Sequence, residues 1–118
     1  MSKIADTVLS VIRDVFPSNI IVKEHYVLYN NTKLFFDYYI KDLGVLVEVQ
    51  GQQHSKFIKH FHGDRSMFLK QKERDNLKLT YIQEHKDLCL VRFYYDEKLT
   101  KDLIIKKIYI ALDRGFCE

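Results

Sequence analysis

The sequence predicts an α/β fold of the α+β type, with elements in the order α-β-β-β-α-β-α. Three consecutive segments rich in Val, Ile, Leu, Phe and Tyr lie between residues 20 and 50 and have the character of strands. Segments with apolar residues at every third or fourth position flank them and have the period of amphipathic helices. No internal repeat or linker interrupts the 118 residues, so a single domain spanning residues 1–118 is expected.

The first half of the chain is predicted to form one helix and an antiparallel meander. The helix begins after the N-cap residue Ser2 and ends at Pro17. The predicted strands are Ile20–Tyr29, Leu34–Ile40 and Val45–Gln50. Asn30 and Asn31 supply the first turn, because asparagine tolerates left-handed backbone. The third strand is almost continuously apolar, which predicts a central position in its sheet.

The second half is predicted to add two helices and one strand. Gly51–Gly63 has no regular period and is predicted to be a loop. The elements that follow are a helix over Asp64–His85, a strand over Leu88–Tyr94 and a helix over Thr100–Leu112. Thr100 is the expected N-cap of the last helix, and Gly115 its expected end.

Composition indicates a globular chain. It is 47% hydrophobic with one proline and four glycines, which excludes a disordered, collagen-like or low-complexity sequence. Cys89 and Cys117 do not form a disulfide framework, and neither a secretory signal nor an apolar run of about 20 residues is present. We therefore expect a cytoplasmic protein (in the host cytoplasm, if a phage encodes it) with no membrane partner.

Positive charge is concentrated in the middle third of the chain. Residues 51–86 contain eight Lys and Arg against four Asp and Glu, whereas the whole chain carries a formal charge of only +3. A basic segment beside a strand that bears carboxylates suits a polyanion held near a metal ion. A solvated helix face with alternating Lys and Glu has the same composition, and charge alone does not decide between the two.

Two carboxylates interrupt strands that a packed sheet would bury. Asp37 lies within Phe35–Ile40, and Glu48 lies within Val45–Gln50. An ionised carboxylate in such surroundings is costly unless it is paired or binds a metal. Adjacent strands joined by a short turn bring such side chains to one face, where two carboxylates and a carbonyl form the oxygen-rich site that Mg²⁺ prefers. The alternative is that both carboxylates point into solvent on an edge hairpin.

Two polar residues follow Glu48 closely. Gln50 shares the face of Glu48 by strand alternation and is a candidate to orient a water or a phosphate oxygen. His54 is a candidate general base or phosphate ligand, and its alternative is an ordinary loop residue.

One face of the long helix is polar in its middle and apolar at both ends. Its members, three or four residues apart, are Phe68, Gln71, Asp75, Lys78 and Ile82. A polar stripe packed toward a metal-bearing sheet explains this pattern, with Lys78 as the cation and Lys72 and Arg74 on either side. The alternative is a solvated face with ion pairs within the helix.

Three of these segments together resemble the PD-(D/E)XK nuclease superfamily. They are Phe36–Ile40, Val47–His54 and Lys72–Lys78. They are most similar to the branch that contains very-short-patch-repair endonucleases and small phage nucleases, in which an FDFY-like strand precedes an E-(Y)-(D/Q)-G-x-Q-H strand end and a helix with an R-D-x-x-K pattern. The match covers residues 2–91 in the family's element order. It implies a restriction-endonuclease-like core with a mixed sheet flanked by helices.

The resemblance also implies roles for individual residues. Asp37 and Glu48 would bind a catalytic Mg²⁺ or Mn²⁺, with the Val49 backbone as a further ligand. Gln50 stands where the superfamily has its signature lysine, which leaves the charge-stabilising role open. The candidates for that role are Lys78, Lys72 and His54. Accessory candidates are Asp6, Arg74 and Asp75. The cysteine-rich zinc site of the very-short-patch enzymes is not expected here, because His and Cys lack its spacing.

These inferences predict a Mg²⁺-dependent DNA endonuclease that hydrolyses phosphodiesters with metal-activated water. Duplex or branched DNA is the expected substrate, with nicking or structure-selective cutting. A monomer would nick and a homodimer could cut both strands, whereas selectivity would come from loops, DNA shape or a partner protein. The expected DNA contacts are Lys56, Lys59, His60, His62 and Arg65. The alternative is a catalytically degenerate nucleic-acid-binding module, which the glutamine at position 50 favours. A ribonuclease is a third candidate, although the sequence singles out no aromatic platform for single strands.

Overall fold

The computed structural model describes residues 3–51 and 65–118. The helices within them are α1 (Lys3–Val15), α2 (Arg65–Glu84) and α3 (Lys101–Arg114). The strands are β1 (Ile21–Tyr29), β2 (Thr32–Ile40), β3 (Val45–Gln50), β4 (Cys89–Tyr94) and β5 (Phe116–Cys117). The predicted order of elements is confirmed, and β5 is an addition that the sequence did not predict. The predicted N-cap Ser2 and most of the predicted loop lie outside the described residues.

The strands form one mixed sheet in the order β1-β2-β3-β4-β5. β1, β2 and β3 pair as the predicted antiparallel meander, whereas β3 pairs with β4 and β4 with β5 in parallel. A parallel pair requires a crossover connection, and α2 lies in the connection between β3 and β4. β3 is therefore central, as its apolar sequence predicts. It has an antiparallel neighbour on one side and a parallel neighbour on the other.

Helices cover both faces of the sheet. α1 and α3 pack on one face, where the core includes Ile12, Val47, Phe93 and Ile108. α2 packs on the other face, against a smaller apolar cluster that includes Phe36, Leu46, Ile82 and Leu90. Because β3 and β4 contribute alternate residues to the two clusters, each has buried residues on both faces. This three-layer arrangement leaves α2 beside the polar residues of β3.

The last helix begins and ends as its sequence predicts. Thr100 has extended backbone, and its Oγ1 accepts a hydrogen bond of 3.2 Å from the Leu103 N–H. Gly115 adopts a left-handed φ of 91°, and its N–H donates to the Ala111 carbonyl. The Leu90 N–H then donates to the Gly115 carbonyl, which aligns β5 with β4. β5 has only two residues, too few for a periodic pattern to reveal it.

The longest described helix, α2, is largely polar. Only Asp75, Lys78 and Ile82 of its 20 residues are buried. Within residues 3–51 and 65–118, no helix combines the length and apolar character needed to cross a membrane. Because two of these three buried residues are charged, α2 brings charged groups as well as apolar surface against the sheet.

Gly44, in the turn between β2 and β3, cannot be replaced without strain. Its φ is +69°, and a Cβ added there would collide with the backbone carbonyl oxygen of Asp87. We expect Gly44→Ala to lower the free energy of unfolding by at least ~3 kcal/mol. Gly115→Ala has a similar φ but open space around the new Cβ, so it should cost only ~1–2 kcal/mol. Urea denaturation of both variants tests this, and equal costs would contradict it.

Candidate active site

The ladder between β2 and β3 ends at the first candidate carboxylate. The printed pairs end with Tyr38 opposite Val47, and the next position in that register sets Asp37 opposite Glu48. There the Val49 N–H donates a hydrogen bond of 2.7 Å to Asp37 Oδ2. The Asp37 carboxylate thus takes the place of a ladder partner and lies beside the Val49 backbone.

Asp37 also marks a change of face within β2. Phe36 belongs to the apolar cluster beneath α2, whereas Tyr38 belongs to the cluster beneath α1 and α3. Residues two apart in a regular strand share a face, so the alternation is interrupted at Asp37. The register of β1 and β2 places Glu24 opposite, and Glu24 has a left-handed φ of 52°. The register is the same on both sides of this pair, so the irregularity is a local twist of both strands rather than an inserted residue.

The expectation that both carboxylates are buried is wrong for Asp37, which is exposed. Asp37 lies at the open end of the ladder, where solvent reaches its side chain. Glu48 is only 3% exposed, so the alternative that both point into solvent is also wrong. The site therefore has one exposed and one buried carboxylate on neighbouring strands.

Three side chains surround the Glu48 carboxylate. Lys78 Nζ forms an ion pair with Oε1, and Arg92 Nε forms one of 3.0 Å with Oε2. Gln50 Nε2 donates to the same Oε2 at 3.2 Å, which confirms that Gln50 shares the face of Glu48. Among the described residues, Oε1 has no contact with another donor. The buried charge is therefore compensated by two cations, as its burial requires.

α2 supplies Lys78 from its buried stripe. Lys78 is 9% exposed, and its Nζ lies 5.2 Å from the centre of the Phe36 ring. Asp75, one turn earlier, is also buried, and its carbonyl accepts a hydrogen bond of 2.9 Å from Arg92 Nη2. The prediction that a polar stripe of α2 packs toward the sheet is confirmed. The alternative, a fully solvated face, is wrong.

Arg92 is a site residue that the sequence analysis missed. It lies opposite Glu48 in the parallel pairing of β3 and β4 and is 4% exposed. Its Nη1 lies 3.8 Å from the Glu118 carboxylate, which also accepts a hydrogen bond from the Tyr94 hydroxyl. Burial, followed by this hydrogen bond, raises the pKa of Tyr94. The missed signal was a charged residue within an apolar strand, the same signal that identified Glu48.

The remaining candidate residues are not among the described contacts of the Glu48 carboxylate, or they lie outside the described residues. Asp6 is exposed on α1, next to Ala5, whose carbonyl accepts a hydrogen bond from the buried Tyr38 hydroxyl. Burial, and then the charges of Asp37 and Asp6, raise the pKa of Tyr38, so both carboxylates act on one phenol. Lys72 Nζ lies 5.7 Å from the Phe68 ring centre. His54, Lys56, Lys59, His60 and His62 lie outside the described residues, and Arg65 is exposed at the start of α2.

A cleft of about 570 Å³ opens between the β1–β2 hairpin and α2. Its charged lining residues are Lys33, Arg74, Asp75 and Lys78, which give a formal charge of 3 − 1 = +2. A smaller cleft of about 430 Å³ reaches Asp37 from Glu24, and Phe35 lines both clefts. The larger cleft is therefore positively charged, whereas Glu24 and Asp37 make the smaller cleft acidic.

The residues fit the divalent ion that the resemblance implies. Asp37 and Glu48 supply hard oxygen donors on adjacent strands, and Glu48 Oε1 already faces a cationic group in Lys78. A divalent ion at Oε1 would take the place of the Lys78 ammonium group and carry twice its charge. No cluster of three or more His, Cys, Asp or Glu side chains is found within the described ranges, and the donors that the resemblance implies are two carboxylates and the Val49 backbone.

Comparison with known proteins adds one relative. "Uncharacterized protein 307L" of Invertebrate iridescent virus 6 is 46% identical over 68 residues, which are 58% of this chain and 34% of that protein. The match thus spans about a third of the relative's length. No family model matches the chain, and no solved structure matches it.

Loss of the Glu48 carboxylate should destabilise the protein much more than loss of the Asp37 carboxylate. Glu48→Ala leaves Lys78 and Arg92 without their buried counter-charge, so we expect a loss of ~3–5 kcal/mol in the free energy of unfolding. Asp37→Asn removes charge at an exposed position and should cost less than ~1 kcal/mol. Urea denaturation with EDTA present measures both, and similar losses would contradict the assigned burial.

Proposed function

We propose that this protein is a divalent-metal-dependent DNA endonuclease whose active site is formed by Asp37, Glu48 and Lys78. The observation that carries the proposal is the buried Glu48 in contact with Lys78, next to an exposed Asp37 at the end of the same ladder. Buried ionisable groups that converge beside a cleft are typical of catalytic sites. The resemblance of the three sequence segments to PD-(D/E)XK nucleases supports the same assignment.

The acidic residues would hold the ion at the cleft. Asp37 and Glu48 would each offer a carboxylate oxygen, and the Val49 carbonyl follows Glu48 directly in the chain. A bound Mg²⁺ or Mn²⁺ would lower the pKa of water and withdraw charge from the phosphoryl oxygens. Arg92 would keep its ion pair with Glu48 Oε2 and so hold the carboxylate in position while Oε1 turns to the ion.

Lys78 would replace the signature lysine that Gln50 lacks. Its ammonium group reaches the carboxylate from α2 rather than from β3, and it also lines the larger cleft. From there it would stabilise the negative charge that develops on the phosphoryl oxygens. Gln50 donates to Glu48 Oε2 and positions that carboxylate without adding charge. Lys72 is less suited, since its ammonium group lies over the Phe68 ring.

Charge in the larger cleft favours a polyanionic substrate. That cleft has a formal charge of +2, and Phe35 connects it with the smaller, acidic cleft at Glu24 and Asp37. A nucleic-acid backbone laid across both clefts would bring a phosphate between Lys78 and Asp37. The basic residues that the sequence places at positions 56, 59 and 65 would extend this contact.

A nucleic-acid-binding module without catalysis is the second candidate. The observation in its favour is that Lys78 and Arg92 already neutralise Glu48 without an ion. A module of this kind would hold nucleic acid equally well in EDTA and would tolerate loss of the Asp37 carboxylate. The exposed Asp37, held by a backbone amide beside a buried carboxylate, has no evident role in such a module.

Cleavage should depend on the metal and on these side chains. We expect the wild-type protein to nick supercoiled plasmid with Mg²⁺ or Mn²⁺ and not with EDTA. Asp37→Asn and Lys78→Met should each lower the rate by at least ~100-fold. Conversion of supercoiled to open-circular plasmid on agarose gels measures the rate.

Lys107→Met is the matched control for Lys78→Met. Lys107 is equally buried, pairs with Glu97 at 2.8 Å and lies 4.9 Å from the Phe93 ring centre, but it belongs to the opposite face of the sheet. The control should lose stability yet keep its cleavage rate at a temperature where it is folded. Metal-dependent nicking that survives in Asp37→Asn would refute the assignment, as would absence of nicking by the wild type.

Metal binding can be tested apart from cleavage. Mn²⁺ at ten times its Kd should stabilise the wild-type protein by about 1.4 kcal/mol, and Asp37→Asn should gain much less. Lys78→Met should bind Mn²⁺ more tightly than the wild type, because it lacks the ammonium group that competes for Glu48 Oε1. Thermal unfolding in a Mn²⁺ titration measures all three. Weaker Mn²⁺ binding by Lys78→Met would contradict the placement of the ion at Oε1.

A further inference from the structure

The β1–β2 hairpin exposes an apolar face that no described element covers. We define this hairpin face by four residues that point to the same side: Tyr26, Leu28, Lys33 and Phe35. Tyr26 is 53% exposed, Leu28 68% and Phe35 56%. Their neighbours in the strands, Val27, Leu34 and Phe36, pack instead against the cluster beneath α2. The hairpin between Tyr26 and Phe36 therefore has apolar residues on both of its faces, and among the described elements α2 packs on one of them.

Two aromatic rings lie side by side on the hairpin face. Tyr26 and Phe35 are cross-strand partners, with ring centres 5.7 Å apart and planes tilted by 42°. Lys33 Nζ lies 5.1 Å from the centre of the Tyr26 ring. Exposed rings beside a cation are the elements of a surface that stacks nucleobases and contacts the adjoining phosphates.

The hairpin face is continuous with the candidate active site. Phe35 lines the cleft that contains Lys78 and also the cleft that contains Asp37, and Lys33 lines the first of these. A strand whose phosphate lies between Lys78 and Asp37 would therefore meet the hairpin face within a few nucleotides. Only bases that are not paired in a duplex present their rings for stacking on such a surface.

The size and charge of the hairpin face favour nucleobases over a second copy of the chain. The three exposed side chains offer roughly 350 Å² together, given about 200 Å² for each when fully exposed. A stable protein interface needs about 800 Å² from each partner. Lys33 lies on the hairpin face itself, and three of the four described charged residues that line the larger cleft are cations, which match phosphates.

We propose that the hairpin face is a stacking subsite for unpaired nucleobases, so that the substrate is a nucleic acid with a single-stranded segment beside the bond to be cut. The proposal rests on the proposed function for the position of that bond. Tyr26 and Phe35 would stack successive bases, and Lys33 would contact the phosphate between them. Both DNA and RNA strands offer this chemistry, and the test includes both.

A tryptophan reporter tests the contact directly. The chain contains no tryptophan, so Phe35→Trp introduces a single indole at the proposed subsite, and Tyr109→Trp introduces one at a similarly exposed ring on α3, outside the hairpin face. In EDTA, titration with dT20 or rU20 should quench Phe35→Trp fluorescence saturably. Quenching should be much weaker for Tyr109→Trp, and a 20-base-pair duplex should quench neither. The polymer that saturates at lower concentration identifies the preferred sugar.

Alanine variants test the energetic contribution. Tyr26→Ala and Phe35→Ala should each weaken binding of the labelled single strand by about 5- to 100-fold in EDTA, measured by fluorescence anisotropy. Tyr109→Ala is the matched control, since it removes a ring of similar exposure from α3, and it should change affinity less than twofold. An equal loss in Tyr109→Ala, or no measurable binding of either single strand by the wild type, would overturn the proposal. Dimerisation that is abolished in Phe35→Ala would also overturn it, by assigning the face to a second copy.

The outcome separates the subsite from the proposed activity. If the wild type cuts plasmid with Mg²⁺ while Phe35→Ala binds single strands normally, the subsite fails and the endonuclease stands. If single-strand binding depends on Tyr26 and Phe35 but no metal permits cutting, the endonuclease fails and the stacking surface stands.

Discussion

The ion pairs of Glu48 with Lys78 and Arg92 connect three elements of the structure. Glu48 lies on the central strand β3, Arg92 on its parallel neighbour β4, and Lys78 on the helix that joins them. Because burial of a charge without a partner is prohibitive, the register of β3 on β4 and the rotation of α2 must both satisfy this carboxylate. Leucine or methionine in these positions would pack α2 on the sheet at least as favourably, so stability alone does not account for the three charges.

The second constraint is the end of the β2–β3 ladder. If the two strands continued to pair, the Val49 N–H would bond to the β2 backbone, and the side chain of Asp37 would stand off the sheet. Instead the carboxylate accepts that N–H, and the strand changes face on either side of Asp37. The same change directs Phe36 beneath α2 and turns Phe35 toward solvent. One irregularity therefore places an acidic group, a cleft and an exposed ring at the same end of the sheet.

The sequence predicted the elements well because each has a local signal. Periodicity gave α1, and cap residues Thr100 and Gly115 gave the ends of α3. The face of α2 that bears Lys78 was also predictable, since polar residues at helical spacing between apolar ones require polar partners. Arg92 carries the same local signal as Glu48, a charge within an apolar strand, but its pairing with Glu48 depends on the parallel register of β3 and β4, which neither strand reveals alone. The exposure of Tyr26 and Phe35 was equally hidden, since aromatic residues in a strand normally indicate burial.

Under the proposed function, the charges at this centre would couple binding of the ion to binding of the nucleic acid. Lys78 and Arg92 carry two positive charges, whereas four carboxylates of the described residues surround them, those of Asp37, Glu48, Asp75 and Glu118. A divalent ion at Oε1 would displace the Lys78 ammonium group without removing its charge, and would so offset the excess negative charge. The centre would then repel a phosphate less strongly, and Lys78 would remain in the cleft to contact it. Binding of the ion and binding of the nucleic acid should therefore favour each other.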